Sequence, residues 1–253
     1  MNPVYKEWQI LKHTIQYFTR IPLPYKHPYS PSHNQQALRY LPLIGVLAGL
    51  WSSGVFTLIH HYFSLDISIF MSIISTILLT GAIHEDGFAD FCDSLGGMTP
   101  EKRLTIMKDS NMGAFGVIGL LGILSGKYLF LIHMPVSHLP CIFISGHMLS
   151  RYFILFIILF LPYSGHTKPS KSLPMIQKNQ VKNTVIATVI IGLIMLTFPL
   201  YAWVSIPILT LITLLLMFYY KKSIGGYTGD YLGAAQQLTE ICHYCSVLFW
   251  LNL

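Results

Sequence analysis

The sequence predicts an all-α, polytopic integral membrane bundle of about seven transmembrane helices, preceded by an amphipathic interfacial helix. Three observations carry that expectation. Of 253 residues, 53% are hydrophobic and only 10% are charged, whereas a water-facing domain carries about 25% charged residues. The apolar residues gather in runs near the length of about 20 that crosses a bilayer as a helix. The cations fall between alternate runs, the positive-inside pattern. A single membrane-embedded domain over residues 1–253 is expected, with no separate soluble domain.

The first twenty residues lack a continuous apolar core, so no cleavable signal peptide is expected. Instead Val4, Trp8, Leu11, Ile15 and Phe18 recur at steps of three and four, with Lys6, Gln9, Lys12, His13 and Gln16 between them. That spacing predicts an amphipathic helix lying at the membrane interface. Seven apolar runs follow, at 40–62, 66–84, 113–133, 139–161, 183–201, 203–220 and 231–251. The fifth and sixth are divided only near Pro199 and Pro207. The seventh is the most polar, and is expected to be partly enclosed by protein.

The linkers set the orientation. With a cytoplasmic N-terminus, the cytoplasmic segments receive Lys6, Lys12, Arg20, Lys26 and Arg39, then Lys102, Arg103 and Lys108. They also receive Lys168, Lys171, Lys178, Lys182, Lys221 and Lys222. Segments near 63–65, 134–138 and 202 on the other side receive none. Only Lys127 and Arg151 remain, inside predicted helices. The expected location is therefore a cytoplasmic (inner) membrane, with the N-terminus and the acidic face toward the cytoplasm. The net charge of +6 is scattered, with no basic patch interleaved with aromatics, so nucleic acid is not an expected partner. Cys92, Cys141, Cys242 and Cys245 all lie in or beside apolar runs, and no disulfide framework is expected.

The acids are unevenly placed. Of ten, Glu85, Asp86, Asp90, Asp93, Glu101 and Asp109 share one cytoplasmic segment, and Asp230 and Glu240 belong to the last helix entered from the same side. Asp86, Asp90 and Asp93 stand at i, i+4 and i+7, within about 60° of one another on a helix. Like charges so arranged weaken a helix unless something cationic neutralises them. Oxygen-only ligands select a hard divalent ion, and Mg²⁺ completes a shell of one or two carboxylates with water and substrate phosphates. A solvated acidic loop paired with Lys102, Arg103 and Lys108 is the plainer alternative.

Glycines surround these acids. Lys108-Asp109-Ser110-Asn111-Met112-Gly113 leads into the third apolar run, whose free helical amides would suit a phosphate. Gly113, Gly116, Gly119 and Gly122 also recur every three residues, the pattern of a helix-packing face. A second loop, Gly225-Gly226-Tyr227-Thr228-Gly229-Asp230, opens the last helix. Inside the membrane, Arg151 offers a planar bidentate guanidinium for phosphate, or an internal ion pair. Glu240 is a functional candidate by its position, or a partner for Lys127 or Arg151. His84 abuts the acids, whereas His147 and His60-His61 carry no strong signal.

Three segments resemble one family. Gly81-Ala82-Ile83-His84-Glu85-Asp86-Gly87-Phe88-Ala89-Asp90-Phe91-Cys92-Asp93 is similar to the signature of cobalamin synthase, the adenosylcobinamide-GDP ribazoletransferase family. So are Ile106-Met107-Lys108-Asp109-Ser110 with Gly113-Ala114-Phe115-Gly116, and Gly225 to Asp230 with Leu232-Gly233-Ala234 and Glu240. Phe18-Thr19-Arg20-Ile21-Pro22 also fits. Ala82 stands where the family commonly has a second glycine, Ser94 where glycine is usual, and Asn111 where a basic residue is common.

The resemblance implies transfer of the GDP-activated adenosylcobinamide phosphate group to α-ribazole or its 5′-phosphate. GMP leaves and the cobamide or its phosphate forms, with Mg²⁺, at the inner membrane face. On that reading Glu85, Asp86, Asp90 and Asp93 are the expected metal ligands, and Asp93 or Asp109 the catalytic base. Arg20, Lys108, Ser110, Gly113, Arg151, Thr228, Asp230 and Glu240 are expected to bind substrate. The acidic spacing is also similar to that of CDP-alcohol phosphotransferases, and a divalent-cation transporter is a third reading.

Overall fold

The computed structural model describes residues 3–23, 36–109, 111–165 and 180–252, and among them the secondary structure is helical apart from one isolated bridge. The first helix, α1 (Pro3–Phe18), forms where the 3.6-residue periodicity predicts it. Its orientation differs from the simple stripe. Ile10 and Thr14 are fully buried against the bundle, while Val4, Trp8 and Tyr17 face outward. Apolar side chains turned outward suit lipid contact, so the helix has a protein face and a membrane face. Glu7 ties it down, taking hydrogen bonds from Tyr40 (2.6 Å) and pairing with Arg39 (3.1 Å).

A short 3₁₀ turn, Leu38–Tyr40, leads into α2 (Leu41–His60). Then come α3 (Leu65–Thr80), α4 (Ile83–Ser94), α5 (Pro100–Ile106) and α6 (Ala114–Ile132). A second 3₁₀ turn, Val136–His138, precedes α7 (Leu139–Phe160). The chain closes with α8 (Gln180–Met195), α9 (Leu200–Trp203), α10 (Ser205–Ile224) and α11 (Gly229–Leu251).

Four stretches are long and apolar enough to cross a membrane: Leu38–His60, Ala114–Ile132, Val136–Phe160 and Leu200–Ile224. The polytopic helical class is therefore as the sequence predicts. The expected span at 66–84 differs: α3 stops at Thr80 and α4 departs at 91° to it. The pair counts as a fifth crossing only if taken together. α8 is apolar but only 16 residues long, about 24 Å of helix. The last helix, α11, is 23 residues long and mostly buried, as its polarity suggests.

The α3–α4 corner has a local cause. Gly81 caps α3 in the left-handed region, φ 67°, and the Ala82 N–H donates to the Ile77 carbonyl (3.0 Å), a Schellman-type closure. Ala82 follows with φ 59°, the sole positive-φ non-glycine among the described residues. A side chain there costs about 1–2 kcal/mol. Ala82→Gly, restoring the family's usual residue, is therefore expected to stabilise the fold by about 0.5–1 kcal/mol after its unfolded-state entropy is deducted. Thermal unfolding in detergent measures it, and an unchanged or lower midpoint would contradict it.

Close backbone approach organises the rest. Gly45 and Gly49 on α2 lie directly against the α7 backbone at His147–Met148 and Phe143–Ile144, the small-residue contact of membrane helices. Gly87 on α4 meets Asp230 on α11, where an added Cβ would stand 3.0 Å from the Asp230 Cα, and Gly233 meets His84. An aromatic cluster locks the same junction: Phe91 packs edge-on against Tyr219, Tyr220 and Tyr231. The Tyr220 hydroxyl donates to the Tyr231 carbonyl (2.7 Å). All four cysteines are free.

Candidate active site

The acids predicted as one group occupy two places. Asp86, Asp90 and Asp93 run along one side of α4, and the Gly87–Asp230 crossing brings Asp230 beside them. Burial, then the charges of Asp230, Asp86 and Asp93, push the Asp90 carboxyl up to about 6 from its ordinary 3.8. These four carboxylates are thus close enough to oppose one another's ionisation. Glu240 stands ten residues along α11 from Asp230, about 15 Å deeper. Glu85 points into the bundle, where its Oε1 accepts from Gln237 Nε2 (2.8 Å).

Asp93 ties α6 to α4. Gly113 N–H donates to its Oδ2 and Gly116 N–H to its Oδ1, both at 2.8 Å. The free amides expected for phosphate at the start of α6 are occupied by this carboxylate. Gly119 of the same stripe packs on Cys92, so the glycine face joins α6 to α4. Asp93→Asn is expected to cost about 2 kcal/mol by weakening two charge-assisted bonds, whereas Asp86→Asn, on an exposed side chain, costs little. Limited proteolysis near Gly113 would separate the two variants; equal resistance would show that Asp93 does not hold this helix.

Other expected residues are placed as follows. Asp109 is exposed, and its Oδ1 accepts from the Asn111 amide (3.0 Å) and side chain (2.8 Å). Lys108 is exposed nearby, and Ser110 lies outside the described residues. Arg20 lies against Gly81 at the α3–α4 corner, with its N–H donating to Leu79 O (2.7 Å). Thr228 caps α11, its Oγ1 accepting from Tyr231 N–H (3.3 Å). The Gly225–Gly226 loop is pinned by a bridge in which Tyr227 N–H donates to Pro162 O (3.0 Å) and Ser164 N–H to Tyr227 O (2.8 Å). These contacts hold Asp230 in register with α4.

Below the acids lies a buried polar network that the sequence only hinted at. Lys127 Nζ pairs with Glu240 Oε1 (2.8 Å) and donates to Gln237 Oε1 (2.6 Å). His147 Nδ1 faces Glu240 Oε2 at 3.1 Å. Gln236 donates to the same oxygen and to Ser150 Oγ (3.1 Å). Arg151, 1% exposed, reaches the His147 carbonyl and ring on its own helix, with no other hydrogen-bond partner among the described residues. Glu240 thus has the internal ion pair that was one of its two readings, and Lys127 is the partner. His147, Gln236 and Gln237 were missed. Their signal was the i, i+4 pairing of His147 with Arg151 and of Gln236 with Glu240 on apolar helices.

Oxygen-only side chains, one of them resisting ionisation among like charges, fit a hard divalent cation. Among the described residues no three Asp, Glu, His or Cys side chains converge to enclose an ion unaided.

Fold and site together define a polytopic helical membrane protein with a carboxylate-bearing face at one end of its bundle. The cobalamin-5-phosphate synthase family model matches residues 11–248. The chain is 39% identical to the adenosylcobinamide-GDP ribazoletransferase of Vibrio cholerae, over 94% of this chain and 92% of that one. It is 36% identical to the Leptospira interrogans protein of the same name, over 98% and 97%, and 35% identical to that of Shewanella amazonensis, over 98% of each. The chain belongs to the cobalamin-5-phosphate synthase family. No solved structure matches it.

Proposed function

We propose that this chain transfers the phosphoryl group of adenosylcobinamide-GDP, with its cobinamide, to a hydroxyl of α-ribazole or α-ribazole 5′-phosphate, releasing GMP. The observation that carries the reading is the carboxylate group Asp86, Asp90 and Asp230, assembled by the α4–α11 crossing at one end of the bundle, in a chain whose relatives bear that enzyme's name.

Phosphoryl transfer chiefly needs in-line placement of the reactants and neutralisation of charge on the phosphate oxygens. Asp86, Asp90 and Asp230 would hold Mg²⁺ against the diphosphate. The bound ion would supply charge neutralisation on the non-bridging and leaving oxygens. Arg20 at the corner and exposed Lys108 would meet further phosphate charge. Asp93 serves by fixing α6 against α4, which keeps the carboxylate row rigid.

The proposed setting is a bacterial or archaeal cytoplasmic membrane, with N-terminus and acids on the cytoplasmic side. The absence of cations from segments near 63–65, 134–138 and 202 supports it. The test is GMP release by the purified chain given adenosylcobinamide-GDP and α-ribazole, with and without Mg²⁺. Mg²⁺-dependent GMP with an equal amount of cobamide is the expected result. Folded protein that makes neither would overturn the reading.

A further inference from the structure

Helices α2, α3, α4, α6, α7 and α11 surround a small polar cavity that runs from Thr80 and Glu85 inward to Ser52 and Tyr244. Its volume is about 20 Å³, room for a water molecule and for no organic substrate. Two buried polar atoms on its lining have no hydrogen-bond partner among the described residues: Arg151 Nε, a donor, and Glu85 Oε2, an acceptor. Buried polar groups are nearly always paired, and each exception calls for an explanation.

The rest of each side chain is already committed. Arg151 turns an η nitrogen to the His147 carbonyl and ring, and Glu85 Oε1 accepts from Gln237 Nε2 (2.8 Å). Arg151 and Glu85 lie within electrostatic reach of each other. Yet they form no ion pair: the ion pairs among the described residues are those of Glu7 and Glu240. Opposite polar groups set apart by more than about 3.5 Å are the usual site of a bridging water. Thr76 and Thr80 also line the cavity. Each gives its hydroxyl proton to a carbonyl of its own helix, at 2.9 and 3.1 Å, and keeps lone pairs for another donor.

The charge on the lining narrows the occupant. Glu85 and Glu240 balance Lys127 and Arg151, so with a neutral imidazole the lining carries no net charge. A bare cation or anion placed inside would leave one charge uncompensated among membrane helices, which is costly. Water is neutral, fits the volume, and donates and accepts at once. We propose that one ordered water occupies this cavity, accepting from Arg151 Nε–H and donating to Glu85 Oε2. Its second proton goes to a threonine hydroxyl of α3. The two oxygens of Glu85 then brace the first turn of α4 on both sides, Oε1 to α11 through Gln237 and Oε2 to α7 through the water. Arg151, a phosphate candidate by its chemistry, is thereby engaged inside the bundle.

A density map of the purified full chain, at a resolution that shows ordered water, is the direct test. A peak about 2.7–3.2 Å from both Arg151 Nε and Glu85 Oε2 is expected. A dry cavity, a direct contact between the two side chains, or a peak with the ligand distances of a metal ion would each overturn the proposal. Thermal unfolding in detergent is the second test. Arg151→Met leaves Glu85 charged and alone, and is expected to lower the midpoint. Adding Glu85→Gln, which keeps an oxygen for Gln237, is expected to restore part of that loss. A double variant that melts no higher than Arg151→Met would show that the two side chains do not serve each other, and would overturn the proposal. If Arg151→Met alone yields no folded protein, a folded double variant is the expected result and its absence the overturning one.

Discussion

Asp90→Asn is expected to abolish measurable transfer, by about 100- to 1,000-fold in kcat, while making the Mg²⁺-free protein more stable. Both effects follow from the same cause. Burial and three neighbouring carboxylates hold the Asp90 carboxyl up at about 6. A group with a raised folded-state pKa favours folding when protonated, so its stabilising effect is present near pH 4 and is lost as pH rises through 6. Fully buried, a shift of this size would amount to about 3 kcal/mol. For a side chain this exposed, about 1 kcal/mol is the reasonable scale. At pH 7 the neutral amide removes that repulsion, so the unfolding midpoint without Mg²⁺ should rise. Added Mg²⁺ should stabilise the wild type more than the variant. A variant that loses stability, or that keeps Mg²⁺-dependent GMP release, would exclude Asp90 as a ligand. Asp86→Asn should match it in activity but not in stability, because its side chain is solvated.

Glu240→Ala is expected to be the most damaging single change in the chain. Its two oxygens serve Lys127, His147, Gln236 and Tyr244 in the bundle interior. Removing one member of a buried pair leaves the other charged and unpaired, at about 3–5 kcal/mol. That is a large part of the 5–15 kcal/mol by which domains are commonly stable. Loss of folded, detergent-soluble protein is the readout. The double variant Lys127→Met with Glu240→Met removes both charges together and should recover much of it. Equal yields of Glu240→Ala and wild type would mean that the pair does not support the fold.

The helical class was legible because membrane burial leaves a strong signal: apolar runs of fixed length with cations between them. The carboxylate row was legible because i, i+4, i+7 spacing has meaning on any helix. What was hidden depended on contacts between segments far apart in sequence. Whether Gly113 and Gly116 greet a phosphate or a resident carboxylate is decided by Asp93, some twenty residues earlier. That Glu85 turns into the bundle, away from the acidic row, depends on Gln237 on α11. The corner at Gly81–Ala82 hid within an apolar run, since one glycine does not announce a turn of 91°. Gly45 and Gly49 carry a four-residue small-residue spacing, but the helix they meet, α7, is set by the fold.

That corner sets the level at which the carboxylates sit. Had α4 continued straight from α3, the seven residues from Asp86 to Asp93 would have spread over about 10 Å along the α3 axis. Each acid would then have stood at a different height above the bundle. Turned through 91°, the row lies crosswise to α3. Its members stand at one level along that axis, Asp86 in solvent and Asp90 and Asp93 half-buried beside it.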